Sequence, residues 1–298
     1  MEEKTVGITL VLGGGGSRGI AHIGVLEVLK NADIPIDLIV GTSMGAIVGT
    51  LYASGVDMHT LTERIGDLKG TNLFSMNLFS AHARQRSVQK QLFPALKHKT
   101  FADLQIPTIV MAVDMLHGKE VAITEGEIIP AVLASSAVPA VFPPVKINGM
   151  ELADGGVVDS LATHIAYEFG GKNIVAVDVY PPLEKDDPWV DPISAIMGFD
   201  LPVPVLRNPT WNNTPSMLSS MWRSFRVMAW HVHEERLQAH PPDVLLRPGV
   251  ENYGSLDFTD IDGPLEAGIH ATTDRLDDIR ALISNQPHDQ LNGAQSST

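Results

Sequence analysis

Cysteine is absent from the 298 residues. That excludes disulfides, thiolate metal ligands and a cysteine nucleophile, but assigns no redox compartment. Long apolar runs are absent too. No stretch reaches the roughly eighteen residues that a spanning helix requires, and the start, MEEKTVGITLVLGGGG, carries acids where a signal peptide has a cationic flank. A cytoplasmic protein is expected. Basic residues are scarce, 21 Lys and Arg against 35 Asp and Glu, for a formal charge of −14. Such a chain repels nucleic-acid backbones and anionic surfaces unless a local basic patch intervenes. The densest basic run, Lys97–Thr100 (KHKT), is short and reads as a solvated helix end, so no nucleic-acid partner is expected.

What is present suits a globular enzyme. With 44% hydrophobic residues, the chain can bury a substantial core. Residues 6–12 (VGITLVL) read as a buried strand, and IAHIGVLEVLK, apolar at Ile20, Ile23, Val25, Leu26 and Leu29, as a one-faced helix. The pattern repeats in IDLIVG followed by MGAIVGTLYASG, a helix closed by Gly55. Further strands are expected at PTIVMAVDM and NIVAVDV, with a helix at IIPAVLASSAVP and a hairpin at VKINGMELA turning on Asn148-Gly149 between them. Alternating strands and helices predict an α/β fold, a three-layer α/β/α arrangement on a mostly parallel sheet. One domain is expected over residues 1–284, interrupted by excursions at about 57–100 and 181–220, with 285–298 as a flexible tail.

Gly14-Gly15-Gly16-Ser17-Arg18-Gly19 fits G-x-G-x-x-G between strand and helix, so a dinucleotide pyrophosphate is the first reading. That reading needs an acid at the end of the second strand. The nearest, Asp37, stands at the wrong end of IDLIVG, and the strand runs instead into Gly41-Thr42-Ser43-Met44-Gly45. A Walker loop also fails, because no lysine follows Gly19 at the required position. The sequence GTSMG is a G-x-S-x-G at a strand-to-helix junction, where a strained turn lifts a serine above the sheet. With glycine and serine each at roughly 7% usage, about 0.1 such matches arise by chance in a chain this long. Context sharpens the signal. Sequential parallel strands tend to be neighbours, so the two loops share one sheet edge, and glycine amides at a helix start suit an oxyanion formed when the serine attacks an ester.

Serine needs a base. Eleven histidines are available, among them His164, His231, His233, His240 and His270 after the serine, yet none sits in a recognisable loop context. His231 and His233, two apart on the predicted helix SFRVMAWHVHEERL, face different sides and read as solvated or capping. Asp154 in ELADGGVVDS ranks first, because Gly155 and Gly156 clear space around it; a simple turn aspartate is the alternative. Asp114 (VAVDM) and Asp178 (VAVDV), at carboxyl ends of predicted strands, are rivals.

At this point the residues resemble the patatin-like phospholipase family, particularly its small bacterial members. The likeness rests on G-G-G-x-R-G at Gly14–Gly19, G-x-S-x-G at Gly41–Gly45, D-G-G at Asp154–Gly156 and the run ASSAVPAVFPPV before the aspartate, and extends over about residues 5–180. The resemblance implies a patatin-like fold and a Ser–Asp dyad without histidine, metal or cofactor. Ser43 would be the nucleophile, Asp154 the base, and Gly14, Gly15 and Gly16 the oxyanion donors. Gly41 and Gly45 would shape the elbow, and Arg18 would anchor the loop or contact a head group. The implied partners are lipid acyl esters, with transient peripheral membrane contact; a non-catalytic lipid- or protein-binding regulator on the same fold is the alternative. Phe74, Met76, Phe79, Trp189, Met197, Phe199 and Trp211 in the excursions read as core or as an apolar acyl-chain mouth.

Overall fold

The computed structural model describes residues 6–67, 85–86, 89–90, 93–139, 141–183 and 217–284. The tail at 285–298 and the seven residues proposed for an acyl-chain mouth lie outside them. Strands β1 (Ile8–Leu12), β2 (Ile36–Thr42), β3 (Thr108–Asp114), β7 (Ile174–Val177) and β8 (Val244–Leu246) form a parallel array in the order β3-β2-β1-β7-β8. Three antiparallel strands complete the sheet at the β3 side: β4 (Lys119–Ile123), β5 (Val145–Ile147) and β6 (Met150–Asp154). The β5–β6 hairpin turns on Asn148 (φ 50°) and Gly149 (φ 81°), the positive pair that an Asn-Gly turn supplies. β4 was not among the expected strands; its half-buried, mixed sequence KEVAI lacks the apolar run that marks the others.

Residues alternate across the sheet, as strand geometry requires. Leu10, Leu12, Ile39 and Val110 face one apolar layer, shared with helices α1 (Ala21–Asn31), α2 (Met44–Ala53), α3 (Met58–Gly66) and α4 (Ile128–Ser135). The later helices α7 (Asp262–Thr273) and α8 (Leu276–Ser284) join the same side. Val11, Val40, Ile109, Ile174 and Ala176 face the other layer, covered by α5 (Thr163–Glu168) and by Leu237 of the long helix α6 (Met217–Ala239). The result is the three-layer α/β/α fold with helices on both faces of a mostly parallel sheet.

One feature of strand pairing positions everything that follows. On β3, Met111 pairs with Thr42 of β2 on one side and Ala122 of β4 on the other. The next residue, Ala112, pairs with Val121 of β4 and with Asp154 of β6. Since β4 occupies one edge throughout, β2 and β6 must share the opposite edge. β2 runs parallel to β3 and β6 antiparallel, so their carboxyl ends meet head-on. Their partners on β3 are one residue, about 3.3 Å, apart.

Candidate active site

Ser43 occupies the tight turn between β2 and α2 with φ 53° and ψ −118°, a conformation that costs on the order of 1–3 kcal/mol for a side-chain-bearing residue. Packing enforces it. A Cβ on Gly45 would lie 2.0 Å from the Leu12 carbonyl oxygen, so only glycine lets α2 start this close to β1. The Ser43 N–H donates to Ser135 Oγ at 2.9 Å, which fixes the backbone of the turn from α4. Ser135 is fully buried and was not singled out from the sequence, although it lies within the run ASSAVP; a serine ending an apolar helix is the signal that could have found it.

The Ser43 hydroxyl donates to Asp154 Oδ2 at 2.6 Å, and Gly156 N–H donates to Asp154 Oδ1 at 2.8 Å. The second bond closes the short turn after β6 and leaves one carboxylate oxygen aimed at the serine. Burial pushes the Asp154 carboxyl up from 3.8 to about 6, against the two hydrogen bonds that favour its charged form. Asp154 is the carboxylate brought to Ser43, at the end-to-end meeting of β2 and β6.

The glycine loop lies alongside. A Cβ on Gly14 would sit 3.3 Å from Ser43 Cβ, so the two loops are neighbours, as the pairing of β1 with β2 dictates. Gly16 has φ 61°, and a Cβ there would fall 1.8 Å from the Ser255 carbonyl oxygen, so the loop conformation demands glycine. Its donors are not equivalent. The Gly14 N–H already donates to the Ser160 carbonyl at 2.8 Å, whereas Gly15 and Gly16 open the 3-10 turn Gly16–Ile20, where N–H groups have no intrahelical acceptor. The Gly13 carbonyl on the other side of that peptide accepts from His22 Nε2 at 2.7 Å. Burial holds His22 down at about 4, so the ring is neutral and serves as a fixed donor.

Arg18 is buried, and its Nη1 donates to Ser255 Oγ at 3.0 Å. Ser17 reinforces the tie, its hydroxyl donating to the Gly254 carbonyl at 2.6 Å and its N–H to the Ser255 carbonyl at 2.8 Å. These contacts tie the glycine loop to Gly254 and Ser255.

The rival carboxylates are engaged elsewhere. Asp114 pairs with His117 at 2.5 Å, which holds its carboxyl below the usual range. Asp178 pairs with His233 at 3.2 Å and Arg247 at 3.1 Å. His231 is exposed and His233 buried, so the two do face different sides, but His233 is neither solvated nor a cap: it is a buried partner of Asp178. His164 bridges Glu120 at 3.1 Å and Asp159 at 3.2 Å, contacts that raise it to about 9. These three residues are close enough to hold a metal ion. Arg236 also binds both carboxylates, however, and a protonated imidazole has no lone pair to offer, so the cluster closes as an ion-pair network.

Residues 10–167 match the family model described as patatin-like phospholipase, more than half of the chain. The chain belongs to the patatin-like phospholipase family. Curated relatives include lysophospholipase NTE1 of Kluyveromyces lactis, 28% identical over 84% of this chain, and that of Pyricularia oryzae, 29% identical over 89%. Lysophospholipase nte1 of Aspergillus fumigatus is 30% identical over 88%. In each case the chain spans 18% of the relative's length. These relatives are fungal and far longer, so they give no support to the narrower likeness to small bacterial members. Among solved structures, VipD from Legionella pneumophila aligns over 93% of this chain and 77% of its own at TM-score 0.41 and 14% identity, too remote a match to carry an argument.

Among the described residues, no helix is long and apolar enough to cross a membrane.

Proposed function

We propose that this patatin-like chain is a lipid acyl ester hydrolase working through a Ser43–Asp154 dyad. The observation that carries the reading is the 2.6 Å hydrogen bond from Ser43 Oγ to a buried carboxylate. As Ser43 Oγ bonds to the acyl carbon, Asp154 Oδ2 takes its proton and the carbonyl electron pair moves onto oxygen. Gly15 and Gly16 donate to that oxyanion, and the positive end of α2 lies beneath the reacting oxygen of Ser43. Collapse restores the carbonyl and expels the alcohol, which takes the proton from Asp154. Water then loses a proton to Asp154 and attacks the acyl-enzyme, and Ser43 leaves reprotonated. A carboxyl at about 6 is a base poised near neutral pH, so histidine is unnecessary.

The substrate class follows from kinship: the relatives' name, lysophospholipase, points to the single acyl ester of a lysophospholipid, presented at a lipid surface rather than within a spanning segment. Ser43→Ala tests the reading. It should abolish hydrolysis of lysophosphatidylcholine and of short p-nitrophenyl esters, and labelling by a fluorophosphonate, while leaving the circular dichroism spectrum intact. Retained labelling would remove Ser43 from the role, and an unlabelled wild type would favour a binding protein on the same fold.

A further inference from the structure

Asp159 has more partners than an ion pair needs, and one of them leads to the glycine loop. Its side chain is 3% exposed, and its Oδ2 takes Arg236 Nη1 of α6 at 3.1 Å and His164 Nδ1 of α5 at 3.2 Å. Both cations also reach Glu120 of β4. Burial works against the charge of Asp159, but His164, the Leu161 N–H and Arg236 outweigh it and hold the carboxyl below its usual range. The other oxygen, Oδ1, accepts from the Leu161 N–H at 2.9 Å. That N–H shares a peptide plane with the Ser160 carbonyl, which is the acceptor of the Gly14 N–H at 2.8 Å. The Gly14 N–H in turn shares a plane with the Gly13 carbonyl, which accepts from His22 Nε2 at 2.7 Å. Two peptide planes thus stand in series between an ionised carboxylate and a buried imidazole. The next peptide carries the Gly15 N–H that donates to the oxyanion.

We propose that Asp159 is a positioning residue for ester hydrolysis, orienting the oxyanion loop through the Ser160–Leu161 peptide; the proposal rests on the Ser43–Asp154 reading of the site. A trans peptide is planar, so fixing its N–H fixes the direction of its C=O. Asp159 therefore sets where the Ser160 carbonyl points, and that carbonyl sets the tilt of the Gly13–Gly14 plane from which Gly15 departs. Glycine alone cannot hold that tilt. Residues Gly13 to Gly16 have no side chains to restrict their rotation, so the loop owes its geometry to bonds from outside. A neutral acceptor at position 159 would orient the plane without being anchored itself. Arg236 and His164 immobilise the carboxylate from two helices, and an ionised acceptor makes the stronger bond to Leu161 N–H. Oxyanion stabilisation depends on donors already aimed where charge develops. Asp159 acts on the reaction only through the loop.

Asp159→Asn tests this on the full chain. An amide has one acceptor and one donor end, so it cannot accept from Leu161 N–H without turning its NH2 toward Arg236 and His164. Active sites are counted first by end-point titration with a fluorophosphonate, which separates loss of folded protein from loss of rate. Per titrated site, kcat on a soluble p-nitrophenyl ester should fall about tenfold to a hundredfold, less than the roughly 100–1000-fold typical of losing a donor outright, with KM little changed. Affinity for an alkyl trifluoromethyl ketone, whose adduct with Ser43 carries the oxyanion, should weaken by the same factor. The acid limb of kcat/KM should stay near 6, because Asp154 is untouched. Arg236, 32% exposed, supplies a second variant that does not disturb a buried site. Arg236→Met should lower kcat by about threefold, the scale of a partly exposed ion pair, and Arg236→Lys should restore it. Unchanged kcat and ketone affinity per titrated site in Asp159→Asn and Arg236→Met would overturn the proposal. So would a loss confined to the number of titrated sites, the mark of a purely structural role, or an acid limb that moves with kcat, which would place the effect at Asp154. A wild type that the fluorophosphonate does not label would sink the catalytic reading and this one with it, whereas the other failures leave Ser43 and Asp154 in their roles.

Discussion

Replacing Asp154 by asparagine should make the protein inert and, at neutral pH, more stable. Burial raises the carboxyl from 3.8 to about 6, which corresponds to about 3 kcal/mol of native-state destabilisation once the group is ionised. The sign follows from linkage. Because the folded value lies above the unfolded one, the stability conferred by the protonated carboxyl is complete below about 3.8 and is lost as pH rises through about 6. Asparagine is neutral throughout and can keep both contacts, Oδ1 accepting from Gly156 N–H and Nδ2 donating to Ser43 Oγ. Urea unfolding at pH about 7.5 should therefore show Asp154→Asn more stable by about 2–3 kcal/mol, and at pH about 4.5 by about 1 kcal/mol. Ester turnover should vanish at both. An asparagine variant less stable than wild type at pH about 7.5, or a gap that does not narrow on acidification, would refute the argument that this carboxylate is held ionised at the expense of the fold.

The pH profile of kcat/KM should fall about tenfold per unit below an acid limb centred near 6, the value set by burial of Asp154; a limb near 4 would indicate a solvated base. Gly16→Ala places a methyl 1.8 Å from the Ser255 carbonyl at φ 61° and must move the loop, so turnover should drop by about 100–1000-fold, the loss typical of one oxyanion donor, as steady-state kinetics on a soluble ester would show. Ser135→Ala leaves the buried Ser43 N–H without its acceptor. It should lower unfolding free energy by about 1–3 kcal/mol in urea titration and slow turnover as the elbow loosens.

The parts of this fold legible in the sequence are those that local chemistry determines. β1 with its glycine loop, β2 with its elbow and the Asn148-Gly149 hairpin each announce themselves through residues whose backbone conformation or close approach few others tolerate. The adjacency of the two loops followed from the tendency of sequential parallel strands to pair. The meeting of Ser43 with Asp154 did not follow from any local signal. It depends on β6 continuing the edge that β2 leaves, and strand register across more than a hundred residues has no signature in composition or periodicity. Spacing could rank Asp154 only above Asp114 and Asp178; the ion pairs that engage those two are tertiary facts. The commitment of the Gly14 amide to Ser160 was equally invisible, since a glycine amide looks the same in sequence whatever it binds. α6 is legible as a helix, but its buried Ser219, Arg226 and His233 set polar side chains inside, opposite to the assumption by which amphipathic helices are read.

The single edge of β3 that receives both β2 and β6 separates reactivity from chain length. The connections between α2 and β3, and those on either side of α4 between β4 and β5, can change length without moving either reacting oxygen as long as α4 keeps Ser135 on the Ser43 N–H, because the alignment of β2 with β6 is dictated by a ladder of main-chain bonds. A one-residue slip on that ladder would be another matter, turning Asp154 to the opposite face of the sheet. The architecture thus leaves its peripheral loops open to elaboration for new substrates while making the chemistry itself indifferent to that elaboration.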